Sequence, residues 1–185
     1  MITTDLSKFD NSFYKPGAGT FKRTLWYIVN ALLFKTSWLP VSRIKVALLR
    51  LFGARIGKHV NIKPSVNIKY PWRLSIGAYT WIGENVWIDN LGDVSIGSQC
   101  CISQAALLLC GNHNYKKESF DLITGKIILE DGVWIGAKAI VCPGVTCYSH
   151  SVLSVGSVAT KNLEAYSIYQ GNPAVKVRSR VHLPD

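Results

Sequence analysis

One histidine in this chain of 185 residues stands where a side chain could move a proton. His113 lies in Leu109-Cys110-Gly111-Asn112-His113-Asn114-Tyr115-Lys116-Lys117, a stretch that follows an apolar run and has no apolar stripe of its own. A neutral imidazole, with an ordinary pKa of about 6.5, can draw a proton from a hydroxyl group as that hydroxyl attacks an electrophile. A lone histidine can equally be structural or merely solvated, and the residue type does not decide between these. His59 and His150 fall within regularly patterned stretches, and His182 in the carboxy-terminal tail. The five cysteines, Cys100, Cys101, Cys110, Cys142 and Cys147, are odd in number and form no Cys-x-x-Cys pair. Neither a disulfide framework nor a thiolate metal site is therefore expected.

What would position His113 is a repeat. A small apolar residue returns every sixth position in four runs: Ile56, Ile62, Ile68; Ile76, Ile82, Ile88; Ile96, Ile102, Leu108; and Leu129, Ile135, Val141, Cys147, Leu153, Ala159. Six is neither a helix nor a hairpin period, and a fixed short period means one unit stacked on copies of itself. Glycine follows the aliphatic residue in Ile56-Gly57, Ile76-Gly77, Ile82-Gly83, Ile96-Gly97 and Ile135-Gly136, and a small or β-branched residue stands four positions on, as in Val60, Thr80, Cys100, Ala139 and Ser157. The pattern predicts a parallel β-helix with three hexapeptides to a triangular coil. Each hexapeptide is a short flat strand, a turn assisted by glycine, and a second inward residue too small to crowd the axis. Steps of eight, between Ile68 and Ile76 and between Ile88 and Ile96, predict two-residue bulges at a corner. The gap of twenty-one between Leu108 and Leu129 predicts a loop leaving the coil over 109–127, with His113 on it.

These repeats, over roughly residues 56–178, together with Gly111-Asn112-His113-Asn114-Tyr115, resemble the hexapeptide-repeat acyltransferases, in particular the exopolysaccharide O-acetyltransferases of the colanic acid type. Segments 152–162 and 166–178, the latter with Gly171-Asn172-Pro173-Ala174, are similar to the carboxy-terminal signature of that family. Val155 and Val175 depart from it, and Lys176 can restore the charge that Val175 lacks.

The resemblance implies a mainly β, left-handed parallel β-helix that uses acetyl-CoA and no metal, transferring an acetyl group to a sugar hydroxyl with His113 as general base. It implies that the pantetheine arm lies along Trp134, Gly136, Ala137 and Ser154, hydrogen-bonded to backbone amides, and that Thr160, Lys161 and Arg178 meet the adenine and phosphate end. Small residues admit a thin arm and cations meet phosphate. Asp89, Asn90 and Asn112 become candidate acceptor contacts, with Trp81, Glu84 and Trp87 on the same coils to stack on or orient a sugar. Asp-Asn is equally good turn chemistry. The oxyanion of the tetrahedral intermediate needs a backbone or side-chain N–H donor near the loop. Cys110 could form an acyl-enzyme, although direct transfer needs no nucleophile on the protein. A homotrimer is implied, with His113 of one chain facing the cofactor coil of its neighbour.

Apolar residues make up 48% of the chain, enough for a buried axis, and the length suits one repeat domain with an appendage. The division expected is a helical segment 1–52, a β-helix 53–178 and a tail 179–185. Residues 1–55 hold nine Lys or Arg against Asp5 and Asp10, so seven of the ten net positive charges lie there. No stacking motif of an RNA or DNA module accompanies them, which points away from nucleic acid and toward an anionic membrane surface. Residues 20–52 predict two helices separated by Pro40, with Leu25, Ile28, Val29, Leu32 and Leu33 on one stripe and Ile44, Ala47, Leu48 and Leu51 on another. Neither approaches the ~20 apolar residues that span a bilayer. The stripes either cap the open end of the coil or, with Trp26, Tyr27, Phe34, Trp38 and the neighbouring cations, form an interfacial anchor; both can hold. The amino terminus has no signal-peptide layout, which places the chain in the cytoplasm, at the inner face of the plasma membrane if the anchor operates.

Two rivals share the scaffold: an acetyltransferase of xenobiotics or other small molecules, and a non-catalytic trimeric scaffold. A zinc site like that of the β-helical carbonic anhydrases needs three convergent histidines, and His59, His113 and His150 lack that spacing.

Overall fold

The computed structural model describes residues 3–181, so His182 and the residues after it lie outside the described part of the tail. From Arg55 onward the chain is a stack of short strands. The first coil is β1 (Arg55–Ile56), β2 (Asn61–Ile62) and β3 (Asn67–Ile68), and the second β4 (Leu74–Ile76), β5 (Trp81–Ile82) and β6 (Trp87–Asp89). The third is β7 (Val94–Ile96), β8 (Cys101–Ile102) and β9 (Leu107–Leu109). A hairpin, β10 (Gly111–His113) and β11 (Leu122–Thr124), interrupts before β12 (Ile127–Leu129), β13 (Trp134–Ile135) and β14 (Ile140–Val141). Then come β15 (Thr146–Cys147), β16 (Val152–Leu153) and β17 (Val158–Ala159), and last β18 (Ser167–Gly171) and β19 (Ala174–Ser179).

Strands of successive coils pair in parallel and form three faces, β1-β4-β7-β12-β15, β2-β5-β8-β13-β16-β18 and β3-β6-β9-β14-β17, with β19 antiparallel to β18. Ile62 pairs with Ile82 and Ile82 with Ile102, so the inward aliphatics stack along the axis. All fifteen six-step positions are buried, and so are the small residues four positions on. Each buried Ile, Leu or Val contributes about 1.5–3 kcal/mol relative to exposure. The first eight-residue step holds a 3-10 turn, Pro71–Arg73, and the second a turn over 91–93. Leu74 then pairs with Val94, a coil of twenty residues, whereas Ile128 pairs with Thr146, a coil of eighteen.

The glycines work differently from the expectation. Gly57, Gly77, Gly83 and Gly136 do not supply the left-handed turn. A Cβ on them would lie 2.6 Å from Ala78 N, 2.4 Å from Ser98 N, 2.8 Å from Gln104 N and 2.6 Å from Val155 N, all on the next coil. Their missing side chain lets one coil lie against another. The left-handed residue comes two positions later, at His59, Tyr79, Asn85 and Lys138, with φ between 55° and 58°. Corner side chains then stack outside the prism, His59 on Tyr79 at 4.8 Å and His150 on Tyr166 at 4.9 Å.

The amino-terminal layer is α1 (Thr20–Val29), continued by a π-helical turn (Asn30–Phe34), and α2 (Ser42–Leu51). It covers the first coil, whose edge strands would otherwise expose unpaired backbone groups. Trp26 Nε1 donates to Ile68 O (2.8 Å), Ile62 N to Ser42 Oγ (2.8 Å), Lys45 Nζ to Lys63 O (2.8 Å), and Arg50 Nη2 to Ile56 O (2.9 Å). The buried face is therefore Trp26, Asn30, Phe34, Lys45 and Leu49. Of the expected stripes, Val29, Leu33 and Leu48 pack partly against the core, while Leu25, Ile28, Leu32, Ile44, Ala47 and Leu51 face outward. Asn30 and Lys45 share the buried face with Trp26, Phe34 and Leu49 because the edge strands need hydrogen-bond partners as well as hydrocarbon. Among the described residues no helix is long and apolar enough to cross a membrane.

Candidate active site

The departure after Leu108 is a hairpin arm instead of an irregular loop: β10 and β11 pair antiparallel, with His113 opposite Leu122. His113 Nδ1 lies 2.9 Å from the Phe120 carbonyl oxygen, and the imidazole stacks on the Phe120 ring, centroids 4.5 Å apart and planes 6° from parallel. A carbonyl oxygen only accepts, so Nδ1 is the donor, and in the neutral imidazole Nε2 is the nitrogen that keeps its lone pair. The Phe9 ring also lies near the imidazole, centroids 5.9 Å apart and planes tilted by 51°. Tautomer and orientation are thus both set, as a general base requires. Phe120 holds a left-handed backbone, φ 51°, as the corner residues of the coil do. Asn112 is exposed, with its Oδ1 accepting from His113 N at 2.8 Å, so it braces the arm at the base itself.

Cys110 is fully buried, and burial pushes its thiol up to about 11. Near neutral pH it is a thiol and a poor nucleophile, which removes the acyl-enzyme alternative. The same cause lifts Cys100 to about 11 and Cys147 to about 12. Among the described residues no three His, Cys, Asp or Glu side chains gather into a metal-binding group.

Five of the seven residues expected at the cofactor, Trp134, Gly136, Ala137, Ser154 and Arg178, line one groove of about 570 Å³, joined by Ser103, Gln104, Val155 and Arg180. Trp134 Nε1 donates to Ser103 Oγ (2.9 Å), which fixes the indole along the wall. Arg180 Nη1 donates to Gly132 O (2.9 Å) and His150 O (3.1 Å), so it is partly committed while Arg178 is exposed. The amides of Gly136 and Ser154 already bond Leu153 O and Tyr169 O across the coils, and a pantetheine arm would need other donors. Thr160 and Lys161 do not line this groove; they stand exposed just past β17, on a different face. Neither His113 nor any residue of its arm lines the groove. The arm leaves after β9, on the third face, whereas the groove follows β13, β16 and β18 on the second.

The acceptor residues divide. Asn90 is fully buried, its Oδ1 accepting from Tyr70 N (2.9 Å) and its Nδ2 donating to Tyr70 O (2.6 Å), so the amide is spent on the neighbouring coil. Asp89 is 7% exposed, with its carboxylate 3.0 Å from Lys69 Nζ. It lines a cavity of about 420 Å³ with Trp87, Tyr70, Lys69 and, from the helical layer, Arg23, Tyr27 and Lys35. Trp81 and Glu84 do not line it. A second cavity of about 530 Å³ lies between the amino-terminal segment and the arm, walled by Phe9, Tyr14, Leu91 and Leu122, and shares Arg23, Lys69 and Tyr70 with the first. Tyr14 donates to Leu91 O at 2.8 Å, and burial pushes its phenol up to about 12. Phe9, Tyr14, Arg23, Lys69 and Tyr70 line this cavity and Phe120 holds the His113 ring, and no local motif announces any of them. Arg23 was visible only as one of the cations of residues 1–55, and Lys69 lies beyond that stretch.

A triangular prism of hexapeptide coils is the architecture of the hexapeptide-repeat acetyltransferases. No family model matches the chain. It is 39% identical over 177 residues, 96% of this chain and 97% of the relative, to WcaF of Escherichia coli (strain K12), whose name assigns it provisionally to colanic acid biosynthesis as an acetyltransferase. It is 26% identical over 135 residues, 71% of this chain and 66% of the relative, to the galactoside O-acetyltransferase of the same organism. The fold matches the hexapeptide-repeat acetyltransferase VCA0836 of Vibrio cholerae, a structure complexed with acetyl coenzyme A, with TM-score 0.79 at 22% identity, covering 90% of this chain and 92% of that one. It also matches a galactoside acetyltransferase in complex with coenzyme A, TM-score 0.75 at 20% identity, covering 87% and 82%. The chain belongs to the hexapeptide-repeat acetyltransferases, in the branch that contains WcaF, and its coil is the left-handed parallel β-helix of that family.

Proposed function

We propose that the protein transfers the acetyl group of acetyl-CoA to a sugar hydroxyl in exopolysaccharide assembly. The observation that carries this is the pinned imidazole: Nδ1 is held by the Phe120 carbonyl, which leaves Nε2 to take the hydroxyl proton as oxygen attacks the thioester carbonyl. Attack forms the new C–O bond, the tetrahedral intermediate collapses with loss of the C–S bond, and the proton on Nε2 passes to the departing thiolate. Coenzyme A, in this reading, lies in the groove of Trp134, Gly136, Ala137, Ser154 and Arg178, with Thr160 and Lys161 reaching only an end that extends past it.

The groove and His113 sit on different faces of one chain, and a homotrimer that sets the arm of one subunit against the groove of the next completes the site. Residues 1–52 then serve as cap and membrane face, 53–178 as the catalytic prism and 179–185 as a tail. The protein works in the cytoplasm at an anionic bilayer. Phe21, Leu25, Ile28 and Leu32 form an outward apolar stripe on the first helical element, with Trp38 and Ile44 exposed beyond it and the basic surplus around them. Co-sedimentation with vesicles containing anionic lipid, weakened in a Leu25→Ser/Ile28→Ser variant and absent with neutral vesicles, tests that part.

The decisive assay is acetyl-CoA turnover with a panel of sugars, nucleotide sugars and lipid-linked sugars, beside His113→Ala. The chain is also 33% identical over 106 residues, 46% of its length, to a chloramphenicol acetyltransferase of Agrobacterium fabrum (strain C58 / ATCC 33970). Turnover with that antibiotic and none with sugars would establish the small-molecule reading instead.

A further inference from the structure

No residue from 111 to 124 is buried, so the arm that bears His113 has no core of its own. A two-stranded hairpin of three residue pairs is marginally stable unless something else holds it. Its far end is the connection 114–121. There a turn closed by Phe120 N donating to Lys117 O (3.1 Å) presents the Phe120 carbonyl to the imidazole. Whatever fixes that turn fixes the geometry of His113.

The amino-terminal segment reaches it. Asp5 N donates to Glu118 O (2.9 Å), within the turn, and Lys8 Nζ donates to Glu118 Oε1 (2.8 Å). The Asp121 carboxylate, next to Phe120, takes hydrogen bonds from Ser119 and Lys117 and a further one from the Asp10 backbone. Between Lys8 and Asp10, Phe9 places its ring centroid 5.9 Å from that of His113. The same segment is rooted in the second and third coils: Tyr14 donates to Leu91 O (2.8 Å), and Pro16 O accepts from Trp72 Nε1 (2.7 Å). Residues 5–16 thus run as a strap from the prism to the tip of the arm.

The two ends of the strap differ. At the root Tyr14 is half-buried, with the Arg73 guanidinium 5.7 Å from its ring. At the tip the Lys8 and Glu118 side chains are half-exposed, and an exposed ion pair is weak by itself. The tip therefore holds by several small contacts acting together, and substitutions there loosen the arm without touching the prism.

We propose that this strap, through Asp5, Lys8 and Phe9, is a positioning element for the base: it holds the Lys117–Phe120 turn so that the Phe120 carbonyl keeps Nδ1, and Phe9 restricts the turning of the imidazole. The proposal rests on the reading of His113 as general base. It adds that the geometry of that base is set from the amino-terminal segment.

The test has two parts, both on the full chain. Proton–nitrogen correlation spectra of the protein without substrates, at about pH 8 and so above the ordinary imidazole pKa of about 6.5, read which ring nitrogen carries the proton, with His113 assigned by its loss in His113→Ala. Wild type is expected to show the Nδ1–H form alone. Phe9→Ala, and Lys8→Glu, which sets a third carboxylate beside Asp5 and Glu118, are expected to add the Nε2–H form. Lys8→Glu/Glu118→Lys restores an opposite pair and should return the wild-type spectrum. Phe13→Ala, on an exposed side chain of the same segment, should change nothing. Lys8, Phe9 and Glu118 lie outside the buried core, so these variants fold. Both tautomers in wild type, or Nδ1–H alone in both Phe9→Ala and Lys8→Glu, overturns the proposal.

The second part measures steady-state kinetics with acetyl-CoA and the panel of sugars. In Phe9→Ala and Lys8→Glu kcat is expected to fall about tenfold with KM for acetyl-CoA unchanged, and to recover in the charge swap and in Phe9→Tyr, which keeps the ring. Undiminished kcat in Phe9→Ala and Lys8→Glu beside an inactive His113→Ala overturns the strap and leaves the base standing. His113→Ala as active as wild type removes the base, and with it the strap's part in catalysis, even where the spectra show the ring held.

Discussion

His113 Nδ1 lies 2.9 Å from the carbonyl oxygen of Phe120, with the two rings stacked. The carbonyl sets the tautomer and the ring sets the angle. His113→Ala is expected to lower kcat for transfer by about 10²–10⁴-fold with little change in KM for acetyl-CoA. Phe120→Ala keeps the carbonyl and loses the stack, so a fall of about tenfold in kcat is expected. Steady-state kinetics that found the alanine variant of His113 fully active would remove the imidazole from the mechanism.

A site divided between subunits predicts rescue by mixing. In the proposed mechanism His113→Ala lacks the base and Ser154→Trp fills the groove assigned to coenzyme A, so each variant alone is expected to be inactive. Co-expressed in equal amounts, they should recover about a quarter of wild-type activity, since a quarter of randomly assembled interfaces pair an intact arm with an intact groove. Absence of any recovery, with mixed trimers verified by mass spectrometry, would mean that each chain forms its site alone.

Two glycines separate close packing from backbone conformation. A Cβ at Gly136 would meet Val155 N at 2.6 Å, whereas at Gly156 it meets nothing within 4 Å but the backbone sits at φ 65°. Gly136→Ala is expected to cost about 3 kcal/mol or more, because backbone cannot yield. Gly156→Ala should cost about 1–2 kcal/mol. Urea unfolding measures both, and the reverse order would refute the account of how the coils are spaced.

The coil, its buried column and the point of departure were legible because six-residue periodicity survives every surface substitution that leaves the inward residue alone. Of the residues expected at the cofactor from the resemblance, Trp134, Gly136, Ala137, Ser154 and Arg178 line one groove, whereas Thr160 and Lys161 do not. The partners of His113 were not legible. Phe9 is more than a hundred positions away, and Phe120 carries no periodic signal. Asp89 and Asn90 look alike in sequence, yet one lines a cavity and the other is consumed by Tyr70, a difference that depends on which side of the strand end each residue falls. The helices misled most, since an apolar stripe ordinarily marks the buried face, and here Asn30 and Lys45 go inside to serve an edge strand.

Lys45 gives that edge contact a pH signature. Burial lowers its pKa from the ordinary 10.5, so folding disfavours the charged form. The cost is complete below the folded-state pKa and fades as pH rises from there toward the unfolded value. Wild type should therefore gain stability relative to Lys45→Met between pH 7 and 10. Denaturant titration of the pair at both values measures the gap, and a gap that stayed constant or moved against wild type would contradict a desolvated ammonium.

The arm and the groove lined by Trp134 and Arg178 occupy different faces of a three-sided prism, and this makes the length of the chain discrete. Removing eighteen residues from the later coils would shorten the molecule by one storey and leave every downstream side chain facing as before. Removing six would turn everything beyond the cut by a third of a revolution, and the groove would then lie on another side of the prism. Changes of length in such a molecule come in whole storeys or as outgrowths at a corner, which is where the arm bearing His113 emerges.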